Sequence, residues 1–178
     1  MPEPTSHAAP EMVDGASEHP PADYIGETKR LYSSLGYDDY RWAERTEPPA
    51  FVPLTKPLSE ARVCLIGSGA IYESGQVAFH SKDDTSIRII DTTVDTDRLR
   101  TAHFAYDQTD AREDINCVFP LDRLRELAAD GTIGEVCGEA YSFMGGIYSI
   151  RRTEEVVGPR LVELVTGQAP DVVLLVPV

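Results

Sequence analysis

Two short apolar runs limit what this chain can build. Residues 61–66 (ARVCLI) and 171–178 (DVVLLVPV) are nearly continuous in aliphatic side chains, without helical period or strict alternation. Runs of about four to eight such residues fit strands buried on both faces, which occur mainly in parallel sheets covered by helices. The first run feeds Gly67-Ser68-Gly69, a tight loop. Further strands are predicted over 87–90 and 101–106, with a short helical turn over 95–100 between them.

Helical signals fall between the strands. Pro120 can take the first helical position, Leu121, Leu124, Leu127 and Ala128 form one apolar stripe, and Gly131 can adopt the left-handed conformation that stops the helix. A second helix is predicted from Thr153 to Gly167, with Glu154 and Glu155 at its positive end and Pro159 kinking or restarting it. Strands alternating with helices give an α/β fold: a largely parallel sheet with flanking helices. The second apolar run is followed by no helix to cover it, so the fold reads as incomplete at its carboxyl end. The exposed surface predicts an oligomeric or poorly soluble chain.

Upstream, the composition changes. Residues 1–22 carry five prolines among Ser, Glu, His and Ala, and read as a disordered tail. Over 23–60, Tyr24, Ile25, Leu31, Tyr32 and Leu35 share one side of a helix that Gly36 can end. The aromatic stretch 37–42 and Pro48, Pro49, Pro53 and Pro57 then predict an extended arm wrapping over the α/β domain of residues 61–178.

A formal charge of −14 opposes binding to nucleic acid, which requires clustered Lys and Arg. No apolar run approaches the roughly 18 residues of a membrane span, and MPEPTSHAAPEM lacks the basic and apolar regions of a signal peptide. A cytoplasmic location without membrane attachment is expected. Cys64, Cys117 and Cys137 have no metal-ligand spacing and lie among apolar neighbours, so all three are read as buried free thiols, with no metal site.

Several residues can carry chemistry. Gly67 and Ser68 lie where a strand meets a loop, a place that faces the ligand crevice of open α/β sheets. His103, Asp107, Asp110 and Asp114 place an imidazole and three carboxylates within 12 residues, suited to acid–base work or to a divalent metal, although Asp is also a common turn former. Asn116 is similarly ambiguous. The segment YSFMGG, with Ser142 and Met144, reads either as a glycine loop with hydroxyl donors or as a plain connection. No Ser/His/Asp triad, HExxH or CxxC motif is present.

Several stretches, taken in order, resemble the selenoprotein B family of glycine, sarcosine, betaine and D-proline reductases. They are YIGETKRLYSSLGYDDYRW, PLTKPLSE, the segment from His103 to Asp114, NCVFPLDRLRELAADGTIGEV and YSFMGG, and the resemblance covers residues 23–178. It implies reductive C–N cleavage of a small amine or amino acid. It also implies that a strand such as DVVLLVPV leads directly into selenocysteine or cysteine, two variable residues, a Cys and a helix. Selenocysteine is encoded by UGA, so a UGA read as stop would end the chain after Val178. The resemblance further implies a partner subunit with a pyruvoyl group, no cofactor bound in this chain, and possible homo-oligomers. His103 is then the candidate proton donor to the leaving amine, with Gly67, Ser68, Asp107, Asp114, Asn116, Ser142 and Met144 lining the crevice. Without its chalcogen the 178-residue chain is expected to lack reductase activity. Two other classes remain open: a non-catalytic partner-binding module, and a metal-dependent hydrolase using His103 and the nearby Asp residues.

Overall fold

A computed structural model describes residues 23–39, 43–44, 46–50 and 52–178. The tail expected over 1–22 and the aromatic residues 40–42 lie outside the described residues. The chain divides into two units, Met1–Thr46 and Glu47–Val178. In the first, helix α1 (Tyr24–Ser34) starts where the Asp23 carboxylate accepts the Gly26 amide at 2.9 Å. It ends at Leu35, followed by Gly36 at φ +78°, as the sequence predicts.

The second unit is built on β1 (Arg62–Gly67), whose residues from Val63 onward are buried. Along one edge β1 pairs in parallel with β5 (Glu135–Val136) and β6 (Glu139–Phe143), and along the other with β7 (Val172–Val176). Strand β3 (Ile87–Asp91) extends the sheet beyond β6 in antiparallel register, Ile89 opposite Tyr141. The alternation within β1 fills two layers. Val63 and Leu65 pack with Ala111 of α2 (Thr109–Glu113) and with Leu121 and Leu124 of α3 (Leu121–Ala129). Cys64 and Ile66 pack with Tyr141 and with Leu161, Leu164 and Val165 of α5 (Gly158–Gln168). Burying one such aliphatic side chain contributes about 1.5–3 kcal/mol, so the doubly buried strand anchors the unit.

The structure revises several sequence expectations. The predicted strand over 101–106 forms only at its start, as β4 (Leu99–Thr101), which pairs antiparallel with β2 (Ile71–Glu73) in a separate two-stranded sheet. Residues 102–108 are irregular because His103 and Asp107 draw backbone amides into local turns. YSFMGG is no loop throughout, since Tyr141, Ser142 and Phe143 belong to β6. The helix predicted from Thr153 begins earlier, as α4 (Ile150–Arg152), and passes through a π-helical turn, Thr153–Val157. Pro159 explains the turn, because it lacks the amide that would continue the α-helical ladder. Helix α5 stops at Ala169, at φ +47°, rather than at Gly167.

Strand β7 is an apolar edge. Val173 and Leu175 face α5 across a groove of about 510 Å³ whose other walls include Ile66, Leu161, Val162 and Val165. Leu175 is 63% exposed, and among the described residues no strand pairs with the outer side of β7. Exposed apolar edges of this kind template association. The purified chain is expected to self-associate with rising concentration, and Leu175→Lys to shift it toward monomer in sedimentation velocity. Equal association of the two proteins would show that this face is not the cause.

Candidate active site at the carboxyl edge of the sheet

Because β1, β6 and β7 run parallel, their carboxyl ends meet at one edge, and Ser68 ties them together. Its amide donates to Val176 O at 3.0 Å, its carbonyl accepts the Gly145 amide at 2.8 Å, and its Oγ accepts the Val178 amide at 2.9 Å. The next residue, Gly69, forms an antiparallel bridge with Met144. Gly69 O accepts from Thr101 Oγ1 at 2.9 Å and from the Tyr106 hydroxyl at 3.3 Å, and those two hydroxyls lie 2.8 Å apart. The loop that follows β6 leaves little room for side chains. A Cβ on Gly145 would lie 3.0 Å from Ser68 O, and one on Gly146 would lie 2.5 Å from the Phe104 ring.

His103 stands behind this edge, 5% exposed, with its ring stacked on Phe104 and tilted against Tyr106 at 4.9 Å between centroids. Its Nδ1 accepts the Ala105 amide at 3.0 Å, so in the neutral ring the proton resides on Nε2. Nε2 is buried and has no partner among the described residues, a costly state for a donor unless something else satisfies it. Burial pushes the imidazole below its ordinary value of 6.5. Adding a proton at Nδ1 would also set two N–H donors against each other. The site therefore presents a neutral ring with one donor available for a further partner.

The other sequence candidates divide by environment. Gly67 faces the core, where a Cβ would sit 2.7 Å from the Phe119 ring, and Met144 packs with Ala70 and Phe79. Ser142 is fully buried and its Oγ accepts the Ile71 amide at 2.7 Å, fastening β6 to β2. Asp107 accepts the Thr109 amide and hydroxyl, and these bonds hold its carboxyl below the ordinary range. Asp114 does the same with the amide and side chain of Asn116, and Asn116 also bonds Asp122. These three are turn caps: their hydrogen bonds close on neighbouring turns rather than on the Ser68 loop. Sequence reasoning missed Thr101 and Tyr106, which an irregular 102–108 segment brings together and strand alternation would have kept on opposite faces.

Two further expectations change. His103, Asp107, Asp110 and Asp114 do not converge, and no group of three or more metal-ligating side chains gathers among the described residues, so the hydrolase reading lacks its donor set. Cys64 and Cys137 are buried, and burial together with the neighbouring Cys137 pushes the Cys64 thiol up to about 12. Cys117, however, is exposed, because its short 3-10 turn points Sγ at Asp114 O, 2.9 Å away.

This is an α/β protein whose strand ends, a hydroxyl pair and a buried imidazole gather at one sheet edge. Residues 43–176 match the glycine/sarcosine/betaine reductase selenoprotein B family, and the chain belongs to that family. It is 32% identical over 130 residues to the D-proline reductase subunit gamma of Acetoanaerobium sticklandii, a match covering 73% of this chain and 54% of that protein. Over 105 residues it is 33% identical to the glycine reductase complex component B subunit gamma of Carboxydothermus hydrogenoformans, covering 55% of this chain and 24% of that one. It is also 31% identical to the sarcosine reductase complex component B subunit beta of Peptoclostridium acidaminophilum over 98 residues, 52% of this chain and 22% of that one. The chain thus spans about half the length of the first relative and about a quarter of the others. No solved structure matches it.

The His103 geometry has a pH signature. A histidine held below its unfolded pKa contributes stability that is complete above about pH 6.5 and is lost as pH falls through the folded value, because the unfolded chain takes up the proton first. The turn-capping carboxylates Asp107 and Asp114, and that of Asp171, which accepts Lys56 Nζ at 2.8 Å and the Arg62 amide at 2.9 Å, lie below 3.8, so their contribution fades only in stronger acid. Wild-type stability is expected to fall between pH 7 and 5, and His103→Gln to flatten that slope in denaturant titrations. An unchanged slope would place the titration elsewhere.

Proposed function

We propose that this chain is part of a reductase subunit that cleaves the C–N bond at the α-carbon of glycine, sarcosine, betaine, D-proline or a similar amine. The proposed nucleophile is a selenocysteine or cysteine directly after Val178. One observation carries the reading: in a chain of this family, Ser68 Oγ holds the Val178 amide at 2.9 Å, so a following residue would emerge at the sheet edge near the Gly69–Tyr106 network. The apolar groove beside β7 offers a surface for a helix continuing beyond it. A helix amino end there would stabilise the chalcogen anion, as it lowers the pKa of thiols.

In the proposed sequence, the selenolate or thiolate attacks the α-carbon, a chalcogen–carbon bond forms, and the C–N bond breaks with its electron pair going to the ammonium nitrogen, which departs as the neutral amine or, for D-proline, stays tethered as the ring opens. The Cys three positions after the nucleophile then attacks the chalcogen as a thiolate. The carbon fragment leaves with a proton, and the protein is left with a two-electron-oxidised chalcogen–sulfur bond for an external dithiol to reduce. His103 serves the departing nitrogen or the substrate carboxylate through its unpartnered Nε2–H. In the neutral form this is a hydrogen-bond donor, and acting as a full proton donor would first require the Ala105 contact to open. Ser68 holds the strand end, while Asp107, Asp114, Asn116, Gly67, Ser142 and Met144 support the scaffold. The pyruvoyl-bearing partner is proposed as a separate subunit in the cytoplasm, and no step above is assigned to it.

The test is the codon after Val178. UGA or a Cys codon, followed in frame by two variable codons, Cys and an amphipathic helix, is expected, near a reading frame for a pyruvoyl-forming proprotein. A different sense codon, UAA or UAG refutes the placement. In a protein carrying the motif, His103→Ala is expected to lower turnover by about 100-fold, the scale of a positioned acid–base or hydrogen-bonding group. Wild-type rates would remove His103 from the mechanism.

A further inference from the structure

The orphaned donor of His103 poses a problem of access. Its Nε2 is buried, so a ligand can reach it only if something over the ring moves. Two aromatic rings contact the imidazole. Tyr106 is fixed, because its hydroxyl bonds Thr101 and Gly69 O at the sheet edge. The Phe104 ring is held by packing alone: it stacks on His103, lies against Gly146 and faces the Tyr148 ring at 6.3 Å, and the residue is 41% exposed. The movable cover is therefore Phe104 together with the loop over 145–149.

That loop is tied down at few points. Gly145 gives its amide to Ser68 O, and the backbone of 146–148 makes one hydrogen bond among the described residues, from the Tyr148 amide to Asp83 Oδ1 at 2.9 Å. The same oxygen lies 3.4 Å from the Ser149 amide. Asp83 belongs to a strap, residues 77–86, that runs between β2 and β3. Arg88 pins both feet of the strap. Its Nε and Nη2 donate to Val77 O and Ala78 O at 2.7 and 3.4 Å, its Nη1 donates to Ser86 Oγ at 2.8 Å, and its guanidinium covers the Phe79 ring at 4.2 Å. Phe79 is itself buried with Ala70 and Met144. The tip is held more lightly, by the Asp83 carboxylate on those two amides and by Arg152 Nη1 on Asp83 O at 3.4 Å. A firm base with a lightly held tip has the build of a hinged lid.

We propose that the strap 77–86 and the loop 145–149 form a gate over His103, latched by the Asp83 carboxylate, which opens to let a ligand reach Nε2. Closure makes the bonds at the tip but buries a donor without an acceptor. Opening loses those bonds and lets water or a ligand satisfy Nε2, so the two states are close in free energy and a ligand that binds Nε2 selects between them. The gate regulates the site described above, and its purpose rests on the reductase reading. The motion is a property of this chain and needs no redox group.

Hydrogen exchange followed by NMR on the 178-residue chain tests it. In wild type, the amides of 146–148 and the His103 Nε2–H are expected to exchange through an opening that leaves the β1 amides, Val63 to Ile66, protected. Asp83→Ala is expected to speed exchange at Tyr148 and at His103 Nε2–H by about tenfold, the scale of one lost hydrogen bond, with β1 unchanged. Asp83→Asn keeps an acceptor oxygen and is expected to stay near wild type. Unchanged rates in Asp83→Ala, or β1 accelerating as much as the loop, would overturn the proposal. Should that variant fail to fold, the wild-type rates decide, since a loop and a His103 proton as protected as β1 would also overturn it. No turnover enters the measurement, so a negative result leaves the redox placement standing, and a refuted codon leaves the gate intact.

Discussion

The burial of β1 on both faces and its pairing on both edges is the constraint on which the unit depends. A strand in that position has no room for polar side chains, so its sequence is nearly all aliphatic and sulfur-bearing, and each alternate residue must meet a helix. α3 covers Val63 and Leu65, and α5 covers Cys64 and Ile66. Parallel pairing with β6 and β7 then delivers three strand ends to the same edge. The position of the candidate site follows from this chain direction more than from any single side chain.

At that edge, backbone groups that have left the sheet must find other partners. Ser68 supplies them for β7 and for the Gly145 loop, while Thr101 and Tyr106 supply them for Gly69. Such loops leave little space, which explains the glycines at 145 and 146. His103 is the exception in this satisfied network, since its Nδ1 is engaged and its Nε2 is not. An orphaned buried donor beside a strand edge is more readily understood as part of a binding site than as packing alone.

How much of this was legible in the sequence depends on the kind of signal. Continuous apolar runs gave β1 and β7, and the stripe of Leu121 and Leu124 gave α3, because burial on a fixed period leaves a direct mark. β5 and β6 were not legible: Glu135 and Glu139 interrupt the pattern, and the pairing of those strands depends on a distant partner. The Asp-rich stretch after His103 offered the right chemistry for a site, but Asp107 and Asp114 cap turns through bonds two residues away, a use that spacing alone does not distinguish from catalysis.

The proposal that β7 delivers a reactive chalcogen to this edge can be tested most directly on the native protein. Reduced protein isolated from its source would be alkylated with iodoacetamide at mildly acidic pH, where ordinary thiols react slowly, and mapped by peptide mass spectrometry. The account predicts a peptide that runs through DVVLLVPV with the label on selenium or sulfur at the next position. A native peptide that stops at Val178, or continues into a residue without a chalcogen, would contradict it.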